Sequence, residues 1–326
     1  MTSAADPVAA FLEAHAAGGS VALATSGTSG TRRSVVRTTE SWVSSFEAVA
    51  GLTGLTSASR AWVPGPLTAT MNLFAVVHAR LLGATLVDGP TRATHAHLTP
   101  SGLTSLLDRE APLAGLTVIV AGDRLTSAVH DRAVSAGAQV RHYYGAAELS
   151  FVAWGGHADD LRPFPGVTVQ VRAGEIWVRS PYLCSGYEGP PGPLRLDEDC
   201  FATVGDRGVL EAGRLTVHGR PGAVTVGGST VETAAVEALL QSAAAGTVAV
   251  VGMPHDELGE VLAVVLTSSG DHAPLRRLAR SELHGAHRPR LWWHVETLPT
   301  TPAGKVDRLA LVSLVSGGGD RVTRLV

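Results

Sequence analysis

The apolar residues of this chain fall in short runs that alternate with amphipathic segments, and this pattern limits the fold more than any other feature. It is the signature of an α/β protein, in which buried strands are covered by helices. Residues 7–17 read as a helix, and "VALAT" (21–25) reads as a buried strand. Thr39 or Glu40 can start a helix that places Trp42, Val43, Phe46 and Val49 on one face. "LLGATLV", "LTVIVAG" (116–122) and "AQVRHYYG" (138–145) read as further strands of one α/β layer. From about residue 166 the texture changes to closely spaced strands, so that about 166–219 forms a β-rich subdomain. After "GRPG" (219–222) a third texture begins: helix 232–241, strands "TVAVVGM" and "EVLAVVLTS", helix 274–284 and strand "LWWHVETLP". The expected organisation is a large domain, 1–219, followed by a small mobile α+β domain, 220–326. Trp292 and Trp293, adjacent in an alternating strand, should divide between core and surface.

Charge and cysteine usage narrow the partners. The net charge is −3 with interspersed signs, which leaves no electrostatic footprint for nucleic acid or an anionic membrane. Cys184 and Cys200 have neither CxxC nor Cys/His ligand spacing, so no disulfide framework or zinc site is indicated, and a reducing cytoplasm fits best. Acids at Asp6 and Glu13 stand where a basic leader would begin, and no apolar run approaches the ~18 residues of a spanning helix. Small molecules or other proteins are the expected partners.

The stretch "TSGTSGTRRS" (25–34) follows the first strand directly. Glycines that let the backbone turn and approach closely, with hydroxyls and two arginines beside them, suit phosphate oxygens. It is not a Walker A loop, since no GK[ST] follows, and by composition alone it could equally be a surface turn. In the same way an Asp in a turn such as "VGDRG" is often only an Asx turn. The histidines in "HAHL" (95–98) and "WWHVE" (292–296) have no partners at ligand spacing and point to surface or packing roles.

The order of several motifs adds what no single one carries. "TSGTSGTRRS" resembles the phosphate loop, commonly TSGTTGxPKG, of the adenylate-forming superfamily of acyl-CoA synthetases and peptide-synthetase adenylation domains. "YYGAAE" (143–148), "EIWVRSPYLCSGY" (175–187), "VGDRG" (204–208), "HGRPGAVTVGGSTVETAAVE" (218–237), "VVGMPHDELGE" (250–260) and "LPTTPAGKVDR" (298–308) resemble its later motifs, in the same order and at compatible spacing. The resemblance covers roughly residues 20–313 and implies a truncated form of that fold, similar to the compact o-succinylbenzoate-CoA ligases. It also implies a reaction: a carboxylate attacks the α-phosphorus of Mg·ATP, giving an acyl-adenylate and pyrophosphate, and the acyl group passes to CoA. A carrier-protein thiol (acyl or peptidyl) or an amine is the alternative acceptor. A nucleotide-binding regulatory pseudoenzyme is the reading from another class.

Carried over residue by residue, Thr25, Ser26, Gly27, Thr28, Ser29 and Gly30 would hold the β- and γ-phosphates, with Arg32 and Arg33 adding charge. Tyr144 and Gly145 would border the adenine, with Gly122 and Asp123 of "AGDR" on its other side. Glu148 would ligate Mg²⁺, Asp206 would accept from the ribose hydroxyls with Arg220 beside it, and Gly228 would border the channel for the acceptor thiol. Lys305 would bridge the carboxylate and the α-phosphate. Departures from the pattern are equally specific. Arg33 replaces the loop lysine, Ala147 replaces the Thr or Ser before the metal carboxylate, and "GPLTATMNLF" (65–74) lacks the aromatic or His usual beside the acyl pocket. The hinge Asp after Arg220 is missing, with Gly222 near its place, and only 24 residues precede the phosphate loop. The acid is not named by the sequence, and a homo-oligomer is left open.

Overall fold

A computed structural model describes residues 6–24, 33–220, 222–255, 258–300, 306–319 and 321–326. The chain divides into two compact units, Met1–Pro221 and Gly222–Val326. Each is mixed α/β, as the alternation of apolar runs requires.

In the first unit α1 (Pro7–Ala16) begins at Asp6, whose carboxylate accepts from the Val8 and Ala9 amides, with Pro7 at the first helical position. β1 (Ser20–Ala24) and β2 (Ser34–Thr38) flank the Gly/Ser/Thr stretch and pair antiparallel, from Ser20 opposite Thr38 to Ala24 opposite Ser34. β1 therefore does not join the main layer, as "VALAT" was expected to do. The single helix expected from residue 39 or 40 is broken into α2 (Glu40–Val43) and α3 (Phe46–Thr53). At the break the Ser45 hydroxyl donates to the Trp42 carbonyl at 2.6 Å, the local side-chain competition that bends helices at serine.

The main sheet follows. β3 (Arg60–Trp62) leads to α4 (Thr70–Leu81), which is buried on every side from Asn72 through Ala79. "LLGATLV" reduces to the two-residue β4 (Thr85–Leu86), because its first residues end α4 and Gly83 turns the chain at φ 78°. Then come β5 (His95–Leu98), α5 (Pro100–Asp108, capped by Thr99), β6 (Thr117–Val120), α6 (Ser127–Ser135, capped by Thr126), β7 (Gln139–Ala146), β8 (Ser150–Gly155) and β9 (Arg162–Pro163). They form a seven-stranded sheet in the order β4-β3-β5-β6-β7-β8-β9. Pairing is parallel as far as β7 and antiparallel for β8 and β9. Every residue of β5 and β6 is buried, as in parallel strands covered on both faces.

The β-rich stretch comprises β10 (Thr168–Arg172), β11 (Glu175–Arg179), β12 (Gly186–Glu188), β13 (Arg195–Leu196), β14 (Ala202–Thr203), β15 (Arg207–Glu211) and β16 (Arg214–Gly219). It is not one sheet. β12 leaves it and pairs with β2, Tyr187 opposite Val35, in a three-stranded sheet β1-β2-β12. An aromatic series fills the unit's main core: Phe11 stacks on Trp42, Trp42 meets Phe74 edge-on, Phe74 meets Phe151, and Phe151 stacks on Phe164 at 4.8 Å.

The second unit is built from β17 (Ala223–Val226), β18 (Ser229–Glu232), α7 (Thr233–Gln241), β19 (Val248–His255), β20 (Gly259–Leu266), α8 (His272–Glu282), β21 (Leu291–Val295), α9 (Arg308–Gly317) and β22 (Val322–Leu325). β20 is its spine: Leu262, Val264 and Leu266 pack with Val236, Leu240 and Leu275 of α7 and α8, and Val261, Ala263 and Val265 with Leu311 and Val315 of α9. Trp292 is buried, while Trp293 is half-buried beneath the Arg324 guanidinium. Among the described residues no helix is long and apolar enough to cross a membrane.

Candidate active site

The carboxyl ends of parallel strands are where open α/β sheets leave room for ligands, and residues singled out in the sequence collect at two such ends. Gly122, at φ 89°, and Asp123 follow β6. Tyr144 and Gly145 close β7, and Glu148 lies in the turn before β8. The β7–β8 register slips at Tyr144/Gly145. There a Cβ on Gly145 would stand 2.1 Å from the Ser150 carbonyl oxygen, so the close approach of the two strands admits only glycine.

Asp206 is presented from the β-rich sheet by Gly205, whose φ of 87° turns the chain before β15. The Tyr144 hydroxyl donates to Asp206 Oδ2 at 2.7 Å, and Arg220 Nε donates to Oδ1 at 2.9 Å. Three residues distant in sequence thus meet at one carboxylate. Burial and the neighbouring Asp206 charge push the Tyr144 phenol well above its ordinary range, so it acts here as a neutral donor. A carboxylate accepts up to about four hydrogen bonds. Two are taken, which leaves capacity for a pair of adjacent hydroxyls.

Glu148 is buried, with 8% of its surface exposed. Its Oε1 accepts from the Tyr187 hydroxyl at 2.9 Å, and the same hydroxyl accepts from the Leu194 amide at 3.0 Å. Burial and the Glu148 charge raise the Tyr187 phenol, keeping it protonated. The Arg33 guanidinium lies 5.6 Å from the Tyr187 ring centroid, within cation–π reach. Tyr187 therefore links the loop's arginine to the candidate metal carboxylate, a role the sequence reading did not assign. The Tyr of "SGY" ending a β-strand motif was the available signal. Mg²⁺ is a hard cation commonly held by one or two carboxylates together with phosphate oxygens. The donor set fits: Tyr187 occupies Oε1, and no hydrogen bond between described residues uses Oε2.

The remaining assignments separate by position. Gly227 and Gly228 have φ of 54° and 85° and form the two-residue turn between β17 and β18, a geometry that demands glycine whatever else Gly228 does. Thr25, Ser26, Gly27, Thr28, Ser29, Gly30, Arg32 and Lys305 lie outside the described residues. "HAHL" is not at the surface: His95 and His97 are both buried within the sheet, a packing role.

Residues 236–305 match the family described as AMP-binding enzyme C-terminal domain. An uncharacterized acyl-CoA ligase, YhfT, of Bacillus subtilis is 26% identical over 321 residues, covering 87% of this chain and 66% of the relative. A probable 2-succinylbenzoate-CoA ligase of Mycobacterium tuberculosis is 35% identical over 223 residues, covering 65% and 57%. The chain thus spans less than two thirds of the length of these curated relatives. Among solved structures, the amide bond synthetase McbA of Marinactinospora thermotolerans aligns with a TM-score of 0.73 at 26% identity, covering 90% of this chain and 68% of that one. The o-succinylbenzoate CoA synthetase of Bacillus subtilis aligns at 0.76 and 21%, covering 94% and 70%, a likeness of fold.

Proposed function

The chain belongs to the adenylate-forming superfamily, and from that premise we propose that it activates a small-molecule carboxylic acid with ATP, releasing pyrophosphate, and passes the acyl group from the adenylate to CoA. The observation that carries this reading is the Tyr144–Asp206–Arg220 cluster at the carboxyl end of the parallel sheet, with Glu148 four residues beyond Tyr144. Asp206 would take the two ribose hydroxyls on its remaining acceptor capacity, while Arg220 balances its charge and Tyr144 fixes its orientation. Tyr144 and Gly145 on one side and Gly122 and Asp123 on the other would bracket the base.

Chemistry at phosphorus needs positioning and charge neutralisation rather than a strong base, because a carboxylate is already ionised at neutral pH. Mg²⁺, when bound with the nucleotide, supplies charge neutralisation on the phosphate oxygens, and Glu148 is the residue that would hold it. The residues 25–30 would wrap the β- and γ-phosphates, Arg33 would add a planar cation where a lysine is usual, and Lys305 would meet the carboxylate and the α-phosphate. The second unit, carrying Lys305 and Gly228, would move between the two half-reactions about the junction at 219–222.

The likeness to an amide bond synthetase favours a second reading for the acceptor, an amine in place of CoA. Exchange of labelled pyrophosphate into ATP across a panel of aromatic, short-chain and amino acids tests activation. Supplying CoA or amines to the active acid then separates the acceptors. Nucleotide binding without exchange for any acid would leave a regulatory nucleotide-binding protein instead.

A further inference from the structure

Arg308, in the second unit, stands where its own helix gives no reason for a cation. It is the first residue of α9, directly after the N-cap Asp307, whose carboxylate accepts from the Ala310 amide at 3.0 Å. The first turn of a helix carries partial positive charge and favours acids. The guanidinium turns instead to α7, where Nη2 donates to Glu237 Oε2 at 2.8 Å. Its Nε is buried with no hydrogen-bond partner among the described residues.

Glu237 is itself fixed. Gln241 Oε1 accepts from the Val248 amide at 2.8 Å and Glu237 Oε2 from the Val250 amide at 2.9 Å. Two side chains four apart on α7 thus meet amides two apart on β19, on the edge that does not face its partner β20. On the other side of Arg308 the chain is pinned in succession. The Asp307 amide donates to the Pro299 carbonyl at 2.8 Å, and Val306 pairs antiparallel with Thr300. Leu298 and Val306 pack against the core that holds Leu311 and Val315. Lys305 directly precedes Val306 in the chain. The Arg308–Glu237 pair therefore fastens the segment that carries Lys305 to α7 and β19.

We propose that Arg308 is a positioning residue for adenylate formation: its ion pair with Glu237 fixes the base of the segment 299–308 and, through it, where Lys305 is presented. The two side chains are 38% and 24% exposed, and pairs so open to solvent add little to stability. Placement is the larger effect, because a misplacement of about 1 Å in a catalytic group can cost about 10²-fold in rate. Without the guanidinium, Leu298 and Val306 keep their packing and Glu237 keeps the Val250 amide, so the unit stays folded while the segment gains freedom. The inference rests on the assignment of Lys305 to the adenylation step.

The test measures both half-reactions on the full chain: exchange of labelled pyrophosphate into ATP with the active acid, and thioester formation from preformed acyl-adenylate and CoA. Arg308→Gln should lower kcat for exchange by about 10–100-fold, with KM for ATP and acid unchanged and thioester formation near the original rate. Arg308→Lys should recover most of the loss. Glu237→Gln, which keeps an acceptor for the Val250 amide, should show the same selective loss, and adding it to Arg308→Gln should cost nothing further, because the two residues act through one contact. A folded Arg308→Gln chain with unchanged exchange, an equal loss in both half-reactions, or additive losses in the double variant overturns the proposal. If Arg308→Gln does not fold, Glu237→Gln carries the test alone, and its failure to slow exchange overturns the proposal equally. Unchanged exchange in Lys305→Ala refutes instead the assignment of Lys305, on which the proposal depends.

Discussion

Acidification from pH 7 to pH 5 should destabilise the first unit, because His78, His97 and His142, among its buried histidines, are held neutral by burial. His78, on α4, is 0% exposed and lies 4.6 Å from the Phe46 ring; burial lowers it to about 4. His97 on β5 is lowered to about 3 by burial and by the neighbouring His78 and His95, and His142 on β7 to about 4 by burial, opposed by its contact with the Val120 carbonyl at 3.0 Å. In the unfolded chain each titrates near 6.5. The sign follows: the unfolded chain binds these protons first, so stability is full above about pH 6.5 and falls at about 1.4 kcal/mol per pH unit per histidine until the folded value is reached. Between pH 7 and 5 each histidine removes about 2 kcal/mol, and the three together about 5–6 kcal/mol, a large share of the ~5–15 kcal/mol of an ordinary domain. Hydrogen exchange followed by mass spectrometry, corrected for intrinsic rates, reads each unit separately. Peptides covering β5 and β7 should lose protection between pH 6.5 and 5, and His97→Asn should leave a shallower pH dependence. Unchanged protection of β5 and β7 over that interval would refute the linkage argument.

Further substitutions test the site. Asp206→Asn should weaken ATP binding by roughly 10–150-fold, from loss of charge-assisted bonds of about 1.5–3 kcal/mol, whereas Glu148→Gln should impair chiefly the Mg²⁺-dependent turnover; calorimetric titration and steady-state rates distinguish them. Gly145→Ala should destabilise the first unit by about 1–3 kcal/mol or more, since its Cβ would meet the Ser150 carbonyl at 2.1 Å, and a thermal melt followed by tryptophan fluorescence measures it. Lys305→Ala should lower adenylate formation by about 10²–10³ yet leave thioester formation from preformed acyl-adenylate and CoA near the original rate. Equal loss in both halves would remove Lys305 from its assigned step.

How far the sequence could be read depended on whether the determining contacts were local. β6, β7, α7, β19 and β20 were legible because each carries its own period and its own caps or turns. α4 was not, since residues Asn72–Ala79 are buried all round and show no apolar stripe. β5 was missed because His95 and His97 occupy positions where apolar side chains signal a strand, although the fold buries both. The pairing of β12 with β2 joins segments about 150 residues apart and has no local signal. At the site, Tyr144, Glu148, Asp206 and Arg220 could be found through ordered motifs. Tyr187 ends one of those motifs, but its bond to Glu148 and the burial of Arg37 arise only when that distant pairing forms. A charged residue in the inward alternation of "SVVRT" was the one available hint for Arg37.

The central claim is that a carboxylate oxygen attacks the α-phosphorus of ATP, and the oxygen itself can be followed. With an acid labelled with ¹⁸O in its carboxylate, attack forms a P–O bond and expels pyrophosphate. Acceptor attack at the acyl carbon then breaks the C–O bond and leaves one labelled oxygen on AMP. Mass spectrometry of the products should find AMP carrying a single ¹⁸O and pyrophosphate carrying none. Label in inorganic phosphate with formation of ADP, or AMP without label, would contradict adenylation by this chain.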